Sequence, residues 1–210
     1  HKEAVAKAPM RETLASLFLR KCGYEGKEPV LDPMCGSGTF VIEAAEIAMG
    51  LKPGRSRHFA FEQLAGFDDD AWQHMRDSVQ LTKPAVRFFG SDRDAGAIKM
   101  SRENAERAGV ADITEFSQRT VSDLVRPEGP AGLVIANPPY GGRIGETKKL
   151  HALYGALGKT LLERFTGWRV GIITTDKALA KTTGLPFKPP GAPVAHGGLK
   201  VFLFQTEALN

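Results

Sequence analysis

The chain has 210 residues, of which 42% are hydrophobic and 25% are charged, and its net charge is +4. These values are typical of a globular protein with its own core, and they exclude a disordered, collagen-like or coiled-coil chain. Apolar runs such as residues 133–136 and 170–173 are far shorter than the roughly 20 residues that cross a bilayer, so no membrane span is predicted. Two cysteines and no apolar signal core favour a reducing compartment, the cytoplasm. The small positive charge permits a polyanionic partner without requiring one.

The first half of the chain predicts a strand, a glycine loop and a helix. An amphipathic helix is predicted over residues 10–22, followed by a short apolar strand over Pro29–Asp32. A glycine turn then leads into a buried helix over residues 40–48, which Gly50 ends. The stretch 51–84 carries no strand signal, so we expect a helical insertion there.

The strand and helix pattern repeats after this insertion. A strand over Val86–Asp92 leads into a helix that Asp94 caps and Gly109 ends. A helix is also predicted over residues 149–165. Further strands are predicted over the segments 113–117, 131–136, 169–174 and 199–204. This alternation predicts one α/β domain, in which a parallel sheet has helices on both faces.

Three loops are expected to border one crevice, because the ligand of an open α/β sheet lies across the carboxyl ends of its strands. The loops are Asp32–Thr39, Asp92–Asp94 and Asn137–Tyr140. In the first loop, Gly36 and Gly38 allow the backbone to approach a ligand at the N-terminus of a helix.

The first two loops favour S-adenosylmethionine over other nucleotide cofactors. A dinucleotide fingerprint needs a third glycine where Val41 stands, and a P-loop needs a Lys-Ser/Thr pair that is missing. The Asp32 carboxylate would repel a pyrophosphate but suits an ammonium group, which disfavours an NAD-dependent oxidoreductase. Asp92 is placed to accept both ribose hydroxyls, and the stem of Arg93 is placed to lie against adenine.

The segment Asn137-Pro138-Pro139-Tyr140 is the most specific motif of the chain. Its prolines fix φ and remove amide donors, so a rigid loop presents unpaired carbonyl oxygens. The Asn137 side-chain oxygen and the Pro138 carbonyl can accept both hydrogens of a base amino group while Tyr140 stacks on the ring. Holding both hydrogens orients the nitrogen toward a methyl donor, so orientation supplies most of the catalysis.

Two alternatives remain for this motif at the level of the sequence. The same loop would serve the amino group of adenine in DNA or RNA as well as that of guanine. A module that keeps the fold and binds RNA without turnover is the alternative from a different class. A Pro-Pro turn after a strand can also be a simple stop signal.

With DPMCGSGTF, GSDRDAGAI and ANPPYGGRIG in this order, the chain resembles class I S-adenosylmethionine-dependent methyltransferases that modify amino groups of nucleic acids. It is most similar to the THUMP-associated Rossmann-fold enzymes that methylate the exocyclic amino group of guanine in large-subunit ribosomal RNA. The resemblance implies a Rossmann-like sheet of seven strands whose last strand is antiparallel, in one domain over residues 1–210. It also implies a fragment that lacks an N-terminal THUMP domain for RNA docking.

The loops and the resemblance together define the candidate site residues. Catalytic roles are assigned to Asn137, Pro138, Pro139 and Tyr140. Cofactor contacts are expected from Thr13, Asp32, Pro33, Cys35, Gly36, Ser37, Gly38, Thr39, Asp92, Arg93 and Asp123. Some relatives carry an acidic residue three positions before Asp123, where this chain has Thr120, so the adenine contact is the least fixed.

Basic residues that should flank the crevice are the candidates for binding ribosomal RNA. They are Arg11, Arg143, Lys148 and Lys188. Neither cysteine has a metal-ligand partner nearby in sequence and the histidines are scattered, so no metal site is predicted.

Overall fold

The computed structural model describes residues 10–78, 80–141 and 147–210. The strands in chain order are β1 Val30–Asp32, β2 Phe88–Asp92, β3 Thr114–Gln118, β4 Leu133–Ala136, β5 Arg169–Thr174, β6 Val194–His196 and β7 Leu199–Gln205. The α-helices are α1 Glu12–Lys21, α2 Thr39–Met49, α3 Asp69–Asp77, α4 Ala95–Ala108, α5 Thr147–Arg164 and α6 Lys177–Thr182.

Seven strands form one mixed sheet in the order β3-β2-β1-β4-β5-β7-β6. The first five strands are parallel, whereas β7 pairs antiparallel with β5, with Thr174 opposite Phe202 and Gly171 opposite Gln205. The predicted antiparallel last strand is therefore confirmed. We call the side where the parallel strands end the carboxyl edge, and the opposite side the amino edge. Because β7 runs in the reverse direction, its first residue, Leu199, lies at the carboxyl edge.

Two apolar clusters cover the two faces of the sheet. Val30 and Phe88 pack on one face with α1, α2 and α4, whereas Leu31 and Val134 pack on the other with α5 and α6. Successive strand residues point to opposite faces, so β1, β2, β4 and β5 contribute to both clusters, whereas the edge strand β3 contributes Phe116 to one of them. This double burial explains the continuous apolar runs in the sequence and confirms the predicted α/β architecture with helices on both faces.

The predicted signals at the helix ends are confirmed. Asp94 accepts hydrogen bonds from the backbone N–H groups of Gly96 and Ala97 at the start of α4. Gly50 and Gly109 follow α2 and α4 with φ of 72° and 74°, a left-handed conformation that favours glycine. Each therefore ends its helix at the residue that the sequence indicates.

Two short elements were not predicted from the residue pattern, which gives six strands, although the resemblance implies seven. α6 has six residues and follows β5, and Asp176 caps it by accepting bonds from the N–H groups of Ala178 and Leu179. β6 has three residues and pairs antiparallel with β7. Neither is long enough for a hydrophobic period to be recognised.

The segment between Gly50 and β2 is helical only in part, so the prediction of a helical insertion is partly wrong. It contains α3 and a 3₁₀ turn over Ala60–Gln63, and the rest is irregular. Aromatic rings pack on one another with centroids 5.1–5.9 Å apart: Phe59, Phe61, Phe67 and Trp72. Arg55 anchors the segment to α2 and α4 through Glu46, at 2.6 Å, and the carbonyl of Ala108, at 2.7 Å. This small aromatic cluster therefore lies at the amino edge, where α2 and α4 end.

None of the helices within the described ranges is both long and apolar enough to cross a membrane.

Candidate active site

The glycine loop after β1 is tied to the end of β2 by backbone hydrogen bonds. The N–H of Gly36 donates to the Asp92 carboxylate at 3.1 Å, and the N–H of Cys35 donates to the carbonyl of Ser91 at 2.9 Å. The other Asp92 oxygen accepts from the N–H of Asp94 at 3.0 Å. Each carboxylate oxygen can accept a second hydrogen bond, so Asp92 is held in place and still able to bind hydroxyl groups.

Asp32 ends β1 as a buried carboxyl, and only 2% of its surface is exposed. One of its oxygens accepts a hydrogen bond from the N–H of Met34 at 3.0 Å. Burial raises the pKa of this carboxyl to about 8; the bond from Met34 lowers that pKa, and the neighbouring Asp92 carboxylate raises it. Burial without a positively charged partner among these causes therefore favours the neutral form of the Asp32 carboxyl.

Gly38 ends the loop at the start of α2 with φ of 82°. A methyl group there would lie 3.1 Å from the Ser101 side chain and 3.2 Å from the Phe116 ring. Both the backbone conformation and the surrounding space therefore require glycine, and the loop closes tightly on α4 and β3.

Replacing Gly38 with alanine is therefore expected to destabilise the protein by more than the change Gly109→Ala. Gly109 also has a positive φ, but no atom lies within 4 Å of the position that a Cβ would occupy. Gly109→Ala should lower the free energy of unfolding by about 1–2 kcal/mol, because alanine disfavours the left-handed conformation. Gly38→Ala should lower it further, because its methyl group would also crowd Ser101 and Phe116. Urea unfolding measures the difference. Equal destabilisation in the two variants would show that the crowding has no consequence.

Two buried polar side chains of α4 support the glycine loop, and the sequence analysis missed both. The Ser101 hydroxyl donates to the carbonyl of Gly36 at 2.8 Å, and the Asn104 amide donates to the carbonyl of Ser37 at 2.9 Å. Their spacing of three residues on the apolar side of α4 was the signal that could have identified them. They satisfy carbonyl groups that the tight loop cannot pair internally.

Cys35 is buried beside Ser101, and burial raises the pKa of its thiol well above the usual value. The Sγ atom lies 3.7 Å from the Ser101 hydroxyl. A thiol in this environment stays protonated, so Cys35 fills space beneath the loop and does not act as a nucleophile.

The loops after β2 and β3 also contact each other. The N–H of Arg119 donates to the carbonyl of Asp92 at 2.9 Å, and the Gln118 amide donates to the carbonyl of Arg93 at 3.1 Å. Thr120 donates to one oxygen of Asp123 at 2.7 Å. Asp123 is exposed and oriented by Thr120, the residue that stands where some relatives carry an acid.

The Asn137–Tyr140 loop follows β4, next to β1 in the sheet. The Asn137 side-chain oxygen is inaccessible to solvent and has no hydrogen-bond partner among the described residues. Pro138 is buried and Pro139 is exposed, while Tyr140 is half-buried between the two apolar clusters, and burial raises the pKa of its hydroxyl. An unpaired buried acceptor is costly to a protein, so a ligand donor is the expected partner of Asn137.

Tyr154 of α5 extends this polar region toward β5. Its side chain is buried, and burial raises the pKa of its hydroxyl to about 12. Thr174, Tyr140 and Asp176 are its polar neighbours, but none of the described residues forms a hydrogen bond of good geometry with it. A neutral hydroxyl therefore lies near the Asn137–Tyr140 loop.

The basic candidates do not all lie at the carboxyl edge. Arg11 precedes α1 and Lys148 is in the first turn of α5, and both are exposed at this edge. Lys188 lies instead at the amino edge, where its N–H bonds the carbonyl of Gln205 and its ammonium pairs with Glu207. The expectation that it flanks the crevice is wrong, because the chain returns along β6 and β7 only after residue 188. Arg143 lies outside the described residues.

Thr13 is exposed on the first turn of α1. Within the described ranges, no cluster of three or more His, Cys, Asp or Glu side chains could hold a metal ion.

Comparisons with known proteins agree with this geometry. Residues 1–186 match the family described as RMKL-like, methyltransferase domain. A ribosomal RNA large subunit methyltransferase K/L of Vibrio parahaemolyticus is 40% identical over 181 residues, which are 82% of this chain and 26% of that protein. The chain thus spans about a quarter of the length of this curated relative.

Two solved structures share the whole fold of the chain. SMU.472, a candidate methyltransferase crystallised with S-adenosylhomocysteine, is 30% identical with a TM-score of 0.84, covering 98% of this chain and 54% of that one. An N6-adenine-specific DNA methylase, so named by prediction, from Listeria monocytogenes is 28% identical with a TM-score of 0.86. That match covers 99% of this chain and 53% of the Listeria chain.

Proposed function

Because this chain belongs to the RMKL-like methyltransferase domain family, we propose that it transfers a methyl group from S-adenosylmethionine to the exocyclic amino group of guanine in large-subunit ribosomal RNA. The family match confirms the resemblance that was inferred from the three loops. The chain covers about a quarter of a curated relative, so the activity of the whole protein is part of the proposal.

The Asn137 oxygen, which has no hydrogen-bond partner among the described residues, is the observation that carries the proposal. Asn137 directly follows β4, the strand beside β1, whose last residue is the buried Asp32. The register of β1 with β4 places Asp32 level with Ile135. Asn137 follows Ile135 by two residues, which is roughly 7 Å in an extended strand. A hydrogen-bond acceptor for the substrate and a carboxyl for a cation are thus neighbours at one edge.

The residues of the first two strand ends fit S-adenosylmethionine. The cofactor would supply an electrophilic methyl group on a sulfonium centre. Asp32 would bind its ammonium group, Asp92 would accept from the ribose hydroxyls, and Asp123 would accept from the adenine amino group. The tight turn at Gly36 and Gly38 leaves backbone N–H groups at the start of α2 for its polar groups.

The Asn137–Tyr140 loop would hold the target base. The Asn137 oxygen and the Pro138 carbonyl would accept the two amino hydrogens, which turns the nitrogen lone pair out of the ring plane. Tyr140 would stack on the base, and its raised pKa keeps its hydroxyl neutral. The nitrogen becomes acidic as it gains the methyl group, so no strong general base is required.

The identity of the product tests this proposal. Incubation of unmodified large-subunit ribosomal RNA with the protein and S-adenosylmethionine is expected to yield methylated guanosine after digestion to nucleosides and mass spectrometry. Methylated adenosine would instead support adenine as the target, which the similarity to the Listeria structure favours. Absence of any methylated nucleoside, with cofactor binding intact, would support a silent RNA-binding module.

The cytoplasm is the location that a ribosomal RNA substrate implies, and both cysteines are free, as expected in a reducing compartment.

A further inference from the structure

The half of the carboxyl edge beyond the Asn137–Tyr140 loop is available to the substrate strand. Along this edge, β1 and β2 carry the proposed cofactor contacts, and β4 carries the proposed target-base loop. The proposed cofactor would occupy the space over β1 and β2, and this would keep a nucleic-acid chain whose target base enters above β4 away from those strands. The free part of this edge is formed by β5, β7 and β6, which follow in order.

Cationic side chains lie on this path. Lys177 begins α6, directly after the end of β5, and its ammonium lies 4.9 Å from the centroid of the Phe202 ring. Lys200 is exposed two residues before Phe202 on β7, so both point to the same face of the sheet. Lys177 and Lys200 therefore stand on one face of the β6–β7 hairpin, next to Thr174 at the end of β5.

Arg11 adds a positive charge on the other face of the same hairpin. It lies close enough to His196, the last residue of β6, to lower the pKa of that imidazole, although burial is the larger cause. Cations thus flank the hairpin tip on both sides.

The described part of the chain does not neutralise these cations. Of the described acidic side chains, none forms an ion pair with Lys177, Lys200 or Arg11. The nearest acid to Lys177 in sequence, Asp176, accepts two backbone hydrogen bonds that cap α6. The ring of Phe202 attracts the Lys177 ammonium without neutralising its charge. The result is a positioned positive charge that can still bind an anion.

We infer that Lys177 and Lys200, together with Arg11, bind phosphates of the RNA strand beside the target nucleotide, and that Phe202 positions Lys177. This inference depends on the proposed function for the identity of the polyanion. Lysines that bind phosphates release counterions, so each contact contributes a salt-dependent part of the affinity that is independent of sequence. The two lysines on β7 and α6 would hold the strand while the loop after β4 holds the base.

The test is the salt dependence of binding to a fluorescently labelled single-stranded uridine oligonucleotide, measured by anisotropy in KCl. For single strands, each lost phosphate contact makes the slope of log affinity against log salt less steep by about 0.7. Near 0.1 M salt, this change corresponds to an affinity about fivefold weaker. Lys177→Gln and Lys200→Gln are each expected to show this loss, and the double variant about twice the change in slope.

Lys21→Gln is the matched control. Lys21 is exposed in the last turn of α1, at the amino edge, and its loss changes the net charge by the same amount. A slope in the double variant equal to that of Lys21→Gln would overturn the inference. The binding measurement needs no turnover, so absence of methyl transfer would contradict the proposed function and leave this inference standing.

The role of Phe202 is tested by a double-mutant cycle. Phe202→Leu keeps an apolar side chain and the net charge, and it is expected to weaken oligonucleotide binding about two- to fivefold. In the Lys177→Gln background, the same change should have no further effect on binding. Additive losses would show that Phe202 does not act through Lys177.

Discussion

The change Asn137→Ala is expected to lower the rate of methyl transfer by about 10²–10³-fold while the affinity for S-adenosylmethionine stays within about tenfold of the wild type. The carboxamide oxygen is the acceptor that would orient the amino nitrogen, and it has no partner among the described residues. Its loss removes an interaction made with the substrate only. Transfer of labelled methyl groups to ribosomal RNA measures the rate, and calorimetry measures the cofactor affinity.

The stability of this variant is the control for misfolding. Because the Asn137 oxygen is buried without a partner, its removal breaks no hydrogen bond among the described residues. The free energy of unfolding is therefore expected to stay within about 1 kcal/mol of the wild type or to rise. A rate that survives Asn137→Ala in a folded variant would contradict the base-holding role.

The change Asp32→Asn is expected to have opposite effects on cofactor binding and on stability. Asparagine keeps an oxygen for the Met34 N–H but cannot carry the charge that attracts an ammonium group. We expect the affinity for S-adenosylmethionine to fall roughly 10- to 100-fold, because a hydrogen bond to a charged group contributes about 1.5–3 kcal/mol. Calorimetry at neutral pH measures this loss.

In the absence of cofactor, the same variant should be the more stable protein at high pH. Since burial raises the pKa of Asp32 from 3.8 to about 8, the folded protein keeps a proton that the unfolded chain releases between these values. The wild-type free energy of unfolding therefore falls as the pH rises through this range, and the asparagine variant lacks that fall. Near pH 9 the variant should be the more stable by roughly 2–5 kcal/mol in urea unfolding.

The comparison near pH 4 is the control for this prediction, because Asp32 is then protonated in the folded protein and only near the midpoint of its titration in the unfolded chain, so its effect on stability is still small. A variant that gains the same stability near pH 4 and near pH 9 would show that Asp32 does not titrate as its burial indicates.

The fold and the positions of the three site loops could be predicted because they depend on local signals. Apolar runs mark strands buried on both faces, and Asp94 and Gly109 mark the ends of α4 by cap geometry. All parallel strands end at one edge, so Asp32, Asp92 and Asn137 had to lie along that edge once the sheet was recognised.

These local signals do not predict contacts between segments that are distant in the sequence. Ser101 and Asn104 bond carbonyl groups more than 60 residues away; their spacing places them on one face of α4, but it does not indicate which carbonyl groups they bond. Lys188 was misplaced because its position depends on the reverse direction of β7, to which it bonds.

Local patterns thus indicate six of the seven strands, the glycines that close the loop and the segments that can carry the chemistry, because side-chain direction, capping and glycine conformation act over a few residues. The folded chain alone shows that the Asn137 oxygen has no partner among the described residues, that α4 supports the glycine loop, and that Lys177 and Phe202 meet. These outcomes depend on strand order and register, which bring together residues that the chain keeps far apart.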